Sequence, residues 1–583
     1  MNRCFQMLVV GLAFANVTAV AEDWPRFRGV AGSGVAGEAS SLPDAWSPDA
    51  NVAWKTELPG PGASSPIIVG GKAFVTCYSG YGLTQEDPGE IENLVRHLVC
   101  IDVKTGKKLW QKDVKATLPE DPYSGIGVTA HGYASHTPVC DGTNVYAFFG
   151  KGGVHAFDMD GKALWNADAG KESDPAKWGS SSSPVVYKDS VIVTASAESQ
   201  AIISYDKTTG KELWRQEAKG LDGMWGTPAL VKVGDNRTDL VMCVAKEVWG
   251  LDPANGKLRW FADATGAEQA YSSVILDGKR VYAFTGRGGG SIALDAGGSG
   301  DVSDSKTIWT GTENASFASP VRHESKIYVV SRGVLTIVDA ESGKRLKQLR
   351  LKGVKETGGR FGSLDYPSPI VVGDRLYYLN GSGQMFVFGL GDDFEQLAVN
   401  EVTSDKETFW GSPAVSDGRL LMRSSKHLYC VTDQGDTVKP RELAVASADK
   451  TPEAAGRGSG RGPGGAGGGA RGGGPNGGAA GGRGGPGGGR PDPLAMFNGM
   501  DADKDGKVTM AELEGNRIAD RLKTLDKDGD ESISKEEFTS GIGSLFRGGG
   551  GGRGGSGGGG GGYGNRGKDS RPDRPQRPEL VEG

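Results

Sequence analysis

Short apolar runs alternate with polar turn residues over most of the chain between residues 51 and 435. The runs come in pairs around a turn, as in "SSPVVYKDSVIVTA" (Ser182–Ala195) and "YSSVILDGKRVYAF" (Tyr271–Phe284). A run of this length rich in Val, Ile, Tyr and Phe, bounded by Gly or Asp, is the pattern of a β-hairpin. A second pattern follows each pair: "DVKTGKKLW" (Asp102–Trp110), "DMDGKALW" (Asp158–Trp165), "DKTTGKELW" (Asp206–Trp214) and "DPANGKLRW" (Asp252–Trp260). Looser copies run from Asp295 to Trp309 and from Asp339 to Lys347. Here Gly supplies the positive φ of a tight turn, and the Asp and Thr side chains bond the turn's own backbone. The Trp is expected to wedge an outer strand against its neighbour.

The two patterns recur together. The proline of the first pattern falls at 66, 138, 184, 228, 320, 369 and 413, with Val274 in the same place in one copy. After the first interval the step is 44 to 49 residues, long enough for four short strands and a sign of radial repetition. The eighth copy ends after "LYCVTD" (Leu428–Asp433) without a fourth strand, whereas "NVAWKTEL" (Asn51–Leu58) has the Trp-Lys pattern of a fourth strand and no hairpin before it. Ring closure by this N-terminal strand removes the open sheet edge. The expected fold is all-β, an eight-bladed β-propeller with seven blades as the alternative, plus a small α-helical module described below.

The Asp-x-x-Thr-Gly-x-x-x-Trp repeats resemble the pyrroloquinoline-quinone-type (PQQ-like) β-propeller repeat, which is shared by quinoprotein dehydrogenases and the outer-membrane barrel-assembly lipoprotein. "DWPRFRG" (Asp23–Gly29) and "LPEDPYSGIGVTAHGYASHTP" (Leu118–Pro138) look like secreted bacterial propellers of that type. The resemblance covers residues 23 to about 435 and implies a fold more than an activity. Quinoprotein dehydrogenases clamp their cofactor with two adjacent cysteines, a stacking Trp, and a metal held by Glu, Asn and Asp. No two cysteines are adjacent here and no such acidic set can be matched, so PQQ is not expected as a cofactor.

Composition adds compartment and domain limits. "MNRCFQMLVVGLAFANVTAVAED" carries one Arg, an apolar run and small residues at Ala19 and Ala21, the pattern of a signal peptide over residues 1–21. No other stretch is apolar enough to span a membrane, so the mature chain is expected to be exported to the periplasm or the cell surface. Cys4 leaves with the signal and lies too early for lipid attachment. Cys77, Cys100, Cys140, Cys243 and Cys430 are scattered, read mostly as small buried residues, with a Cys77–Cys100 bridge between neighbouring strands as the alternative. A net charge of −6 points to no particular partner.

Known catalytic signatures are missing: there is no GxSxG elbow, HExxH helix or phosphate loop, and "GRGGG" (Gly286–Gly290) reads as a hairpin turn. His131 and His136 read as loop packing ahead of metal ligation. Two features of the propeller point to binding. The first repeat is extended, with 44 residues from Pro66 to Trp110 against 30 from Pro184 to Trp214, and 28 from Trp110 to Pro138 against 14 from Trp214 to Pro228. Both extensions belong on the face opposite the Thr-Gly turns. An aromatic residue also lies three positions before the proline place in five successive repeats: Trp225, Tyr271, Phe317, Tyr366 and Trp410. These read either as inter-blade packing or as the rim of a ligand mouth.

After the propeller (residues 22–441) comes a Gly-rich linker (442–491), then a compact segment (492–543), then a Gly/Arg-rich tail (544–583) expected to be disordered. Arg-Gly tracts can bind nucleic acid, but an exported chain is not expected to meet it. The compact segment holds the strongest chemical motif. "DADKDGKVTMAE" (Asp501–Glu512) fits the EF-hand loop, with Asp501, Asp503 and Asp505 as carboxylate ligands and Gly506 at the sharp turn. Lys507 supplies a carbonyl, Thr509 the water-bridged position and Glu512 the bidentate carboxylate. "DKDGDESISKEE" (Asp526–Glu537) repeats the design with Asp526, Asp528, Asp530, the Ser532 carbonyl, Ser534 and Glu537, but has Glu531 where Gly is preferred. Calcium is the expected ion, more tightly held in the first loop. The expected function is an exported calcium-binding propeller that serves as a scaffold for an unidentified protein or surface polymer. A quinone-dependent dehydrogenase and an envelope assembly factor are the alternatives.

Overall fold

The computed structural model describes residues 23–37, 42–438 apart from 125–127, 175–176, 265, 268, 287, 356–365 and 392, parts of 497–538, and residues 577–578. The expected signal segment (1–21), the whole of 442–491 and most of 544–583 therefore lie outside the described residues. The chain divides into two units, one of residues 1–450 with 571–583 and one of 451–570.

The first unit is an eight-bladed propeller. Seven blades each run four antiparallel strands in chain order from the channel outwards, from blade 1 at Ile67–Val69 to blade 7 at Ile370–Val372, and blades 4 and 7 each gain a short parallel fifth strand. Blade 8 takes three strands from residues 414–431 and its outer strand, Val52–Glu57, from the N-terminal side of the ring. Trp54 stands opposite Cys430 and Lys55 opposite Tyr429, so the expected closing strand is in place. The middle strands are buried on both faces, which is why they read as continuous apolar runs such as Val191–Ala195.

The Thr-Gly turns and the tryptophans form a single device. Asp206 Oδ1 accepts from the Thr209 amide and hydroxyl, both at 2.8 Å, and Gly210 takes φ 72°. Its missing side chain makes room for the Trp165 ring of the blade before, since a Cβ would lie 2.6 Å from that ring. Trp165 Nε1 then donates to the Lys207 carbonyl at 3.0 Å. Trp54 on Gly106, Trp110 on Gly161, Trp214 on Gly256 and Trp309 on Gly343 repeat the arrangement. The expected wedge is thus more specific: each outer Trp docks on the next blade's turn. Where the next blade has a longer turn that pairs with the outer strand itself, Gly300 standing opposite Trp260 and Asp301 opposite Phe261, the Trp changes role. Trp260 of blade 4 faces a loose copy in blade 5, so it turns inward, donates to Asp239 Oδ2 at 2.7 Å and lies across Gly250.

Residues 23–36 thread the channel. Trp24 bridges to Ile68 of blade 1, the Cys140 amide of blade 2 donates to the Pro25 carbonyl, and Val35–Ala36 pairs in parallel with Val371–Val372 of blade 7. Arg26 and Arg28 donate to the Pro228 and Pro320 carbonyls at 3.2 and 2.5 Å. Their burial lowers them to about 10 and about 9. The five cysteines among the described residues are free and buried. Cys77 stands opposite His97 and Cys100 opposite Phe74, three ladder positions apart and so on opposite faces of the sheet, which rules out the bridge held open from sequence.

Candidate functional site

Every innermost strand is entered through a Ser or Thr two residues earlier: Ser65, Thr137, Ser183, Thr227, Ser273, Ser319, Ser368 and Ser412. These eight residues close a hydrogen-bond circle. The Ser65 amide donates to Thr137 Oγ1 at 2.9 Å, the Thr137 amide to Ser183 Oγ at 3.1 Å, and the Ser183 amide to Thr227 Oγ1 at 3.0 Å. The chain continues through Ser273, Ser319 and Ser368 until the Ser412 amide donates to Ser65 Oγ at 2.9 Å. Each hydroxyl accepts from the blade behind it and keeps its own proton to donate elsewhere.

Above this circle lies a cavity of about 140 Å³ that all eight hydroxyl residues line, with Phe27 of the threading segment among its walls. An arc of aromatic rings forms the rest of the wall. Trp225 and Tyr271 have centroids 5.1 Å apart, Tyr271 and Phe317 5.0 Å, Phe317 and Tyr366 4.8 Å, and Tyr366 and Trp410 6.1 Å. The five aromatics marked in sequence therefore touch from blade to blade and face the cavity at the same time. Trp178, 6.0 Å from Trp225, extends the arc by a sixth ring. It lies six positions before Pro184 instead of three, outside the repeat's spacing. Blades 1 and 2 break the arc with the small residues Ala63 and Ser135.

Through that gap the cavity meets a polar annex of about 50 Å³, built by the second extension and blades 1 to 3. His131 and Ser135 border both spaces. His131 Nε2 donates to the Trp178 carbonyl at 2.5 Å while its Nδ1 accepts from Ser135 Oγ at 2.6 Å, and burial lowers its pKa. His136 turns to a different partner, Ser180 Oγ, at 2.9 Å. The two histidines thus bond to different partners, His131 to Trp178 and Ser135 and His136 to Ser180.

Inside the annex, Arg96 grips Glu120 through two bonds of 2.7 and 2.8 Å, and Lys151 pairs with Asp121 at 3.0 Å. Ser180 Oγ donates to Glu198 Oε1 at 2.6 Å. Glu198 is only 3 % exposed and its Oε2 has no hydrogen-bond partner among the described residues. Burial raises this carboxyl to about 7 and pushes His136 down to about 3. At neutral pH the annex thus holds a neutral imidazole beside a carboxyl poised to take or release a proton. Sequence reading missed Glu198 and Ser180, which lie 18 residues apart and meet only through the fold.

The second unit has a geometry of its own. Lys507–Thr509 pairs with Ser532–Ser534 in a two-stranded ribbon, Val508 opposite Ile533. Gly506 has φ 89° and Glu531 φ 61°, so both loops take the same left-handed turn and only one has the residue suited to it. Glu512 Oε2 accepts from the Thr509 amide and hydroxyl at 2.8 and 2.9 Å, and Glu537 Oε2 from those of Ser534 at 2.9 and 2.8 Å. Asp505 Oδ1 accepts the Lys507 amide, and Asp530 is held near 2 by hydrogen bonds from Lys507 and Ser532. Asp526 accepts the Glu531 amide at 3.1 Å. Asp501, Asp503 and Asp528 lie outside the described residues, and among the described ones no three His, Cys, Asp or Glu residues gather as a metal group. Phe497, Val508, Leu513, Leu522, Leu525, Ile533 and Phe538 form the core of this unit.

Fold and repeat together define a PQQ-like β-propeller repeat protein. The family described as outer membrane protein assembly factor BamB matches residues 95–349 and 199–442, and the chain belongs to it. Similar solved structures include BamB from Moraxella catarrhalis, at 12 % identity and TM-score 0.47 over 67 % of this chain and 99 % of that one. A europium-containing methanol dehydrogenase has 13 % identity and TM-score 0.48 over 69 % and 89 %. A quinohemoprotein alcohol dehydrogenase from Pseudomonas putida HK5 has 12 % identity and TM-score 0.45 over 73 % and 82 %. No curated protein matches the chain. Among the described residues no helix is long and apolar enough to cross a membrane.

Proposed function

We propose that this is an exported binding module whose channel mouth takes one ring of a neutral ligand, such as a sugar unit of a surface polymer. The observation that carries the reading is the six-ring aromatic arc standing over a closed circle of hydroxyls. Rings supply flat apolar faces, hydroxyls supply donors, and a cavity of about 150 Å³ elsewhere takes up a single benzene ring. Among the described residues lining the mouth there is no Lys or Arg, and burial lowers the pKa of His131. A tricarboxylate such as the quinone cofactor would find no cation there, since Arg96 and Lys151 in the annex are already paired with Glu120 and Asp121. The described lining therefore suits a neutral ligand better than that group, and the binding reading is preferred to the dehydrogenase one on this chemistry. The assembly-factor reading takes its support from the family description and calls for a protein partner instead.

Calcium belongs to the same proposal. Both loops have a left-handed sixth position, ribbon-paired centres and a glutamate at the twelfth position beside the ninth, as oxygen ligation of a hard cation requires. The Glu531 turn makes the second site the weaker. A titration of tryptophan fluorescence with neutral oligosaccharides tests the mouth. Saturable quenching that disappears in Trp225→Ala is the expected result. No quenching across the panel, together with a protein captured from the envelope fraction, would favour the assembly-factor reading instead.

A further inference from the structure

The first residue of each blade's third strand faces the last residue of its fourth, on the same rim as the mouth. Six blades place Val95, Val154, Ala201, Ser291, Val334 or Met385 there. Blade 8 has His427 beside Glu407. Blade 4 alone has an acid, Glu247, and it faces a second acid, Asp263. Glu247 is 1 % exposed, and its Oε2 accepts Trp249 Nε1 at 2.8 Å. A carboxylate buried at this place needs a cation, because an uncompensated buried charge is strongly unfavourable.

That cation comes from the far end of the chain. Arg577 Nε donates to Glu247 Oε2 at 2.7 Å, its Nη2 pairs with Oε1, and its guanidinium lies 3.4 Å from the centre of the Phe261 ring. Pro578 is buried next to it. Bidentate pairing and stacking on a ring are what distinguish an arginine site from a general basic contact. The segment is "RPDRPQRPELVEG", three Arg-Pro steps in an otherwise Gly-rich tail, and Pro keeps the chain extended at low entropic cost.

We propose that Glu247, Trp249 and Phe261 of blade 4 form an arginine receptor for this chain's own C-terminal Arg-Pro segment. The tail is a strap: residues 451–570, which hold the two acidic loops, are joined to the propeller unit at both ends, and Arg577 anchors the second.

The test uses the full-length protein with Val581→Cys carrying a fluorescent dye. The five native cysteines of the propeller are buried, which directs the dye to residue 581. Dye anisotropy is expected to be high in the parent, to fall to that of a free peptide in Arg577→Ala, and to fall likewise in Glu247→Gln, which keeps the acceptor for Trp249. Arg574→Ala is expected to leave it high. Equal anisotropy in the parent and Arg577→Ala would overturn the proposal, because Arg577 lies in the tail and cannot unfold the blade. So would an Arg574→Ala fall as large as that of Arg577→Ala, which would mean unspecific attraction of a basic tail.

Discussion

The outer rim of the ring and the channel mouth are made from the same eight repeats, yet they depart from repetition in different ways. On the rim, departures come in pairs: Trp260 abandons its usual place where the next blade's longer turn pairs with its strand through Gly300–Asp301. Blade 6 likewise has Lys347 in place of Trp, and its Nζ donates to the Asp393 carbonyl of blade 7 at 2.8 Å. At the mouth the hydroxyl circle is complete in all eight blades, while the aromatic arc stops at Ala63 and Ser135, with no ring in their place among the described residues of those two positions. A paired departure preserves a structural contact. An unpaired one opens the mouth towards the annex, and that is where a specific function belongs.

The largest effect should come from breaking the ring itself. Removing residues 23–58 deletes both the threading segment and the outer strand of blade 8, and circular dichroism should show that the protein no longer folds cooperatively. A folded product with a parent-like Tm would contradict the role of Val52–Glu57 as the closing strand.

Next in size is the rim lock. Gly210→Val adds branched atoms where Trp165 leaves no room and forces a β-branched residue to φ 72°, so unfolding in urea should show a loss of about 3 kcal/mol. Gly70→Ala is the control: at φ 57° with open space around it, it should cost about 1 kcal/mol. Equal losses at both positions would mean that the Trp contact contributes nothing beyond backbone strain.

The annex gives a smaller, pH-dependent effect. Glu198 titrates at about 7 folded against 4.5 unfolded, so the folded state holds the proton more tightly. Its contribution is fully present below about pH 4.5 and is lost as pH rises through about 7, a change of about 3 kcal/mol at most. Lys151 and Arg96 face this carboxyl and oppose the shift, while His136 stays neutral throughout the range. Tm should therefore decline from pH 5 to pH 8, and Glu198→Gln should flatten the decline. An unchanged slope in that variant would place the titrating group elsewhere.

Much of this was legible in the sequence because the repeat writes its local chemistry openly. The turn glycines, the strand pairs and the borrowed strand at Asn51–Leu58 follow from spacing alone. So do Trp225, Tyr271, Phe317, Tyr366 and Trp410, which share one offset from the proline place. The hydroxyl circle had a signal too, a Ser or Thr directly before that place in every repeat, but its meaning depends on the next blade's position. Trp178 sits off the repeat spacing, and Glu198, Ser180 and His136 come together from three separate stretches. No local pattern could pair Arg577 with Glu247, 330 residues away. Contacts made between blades by unrepeated residues are the ones a repeat cannot announce.

The central claim is that the aromatic arc, and not the rim, receives the ligand. Fluorine NMR of the protein labelled with 5-fluorotryptophan separates the two, since Trp178, Trp225 and Trp410 line the mouth and Trp54, Trp110 and Trp165 lie on the rim. On adding the oligosaccharide that quenches fluorescence, resonances of the three mouth tryptophans should shift while those of the rim tryptophans, Trp214 and Trp309 included, stay in place. Shifts confined to the rim tryptophans, or no shifts at a saturating concentration, would contradict the account.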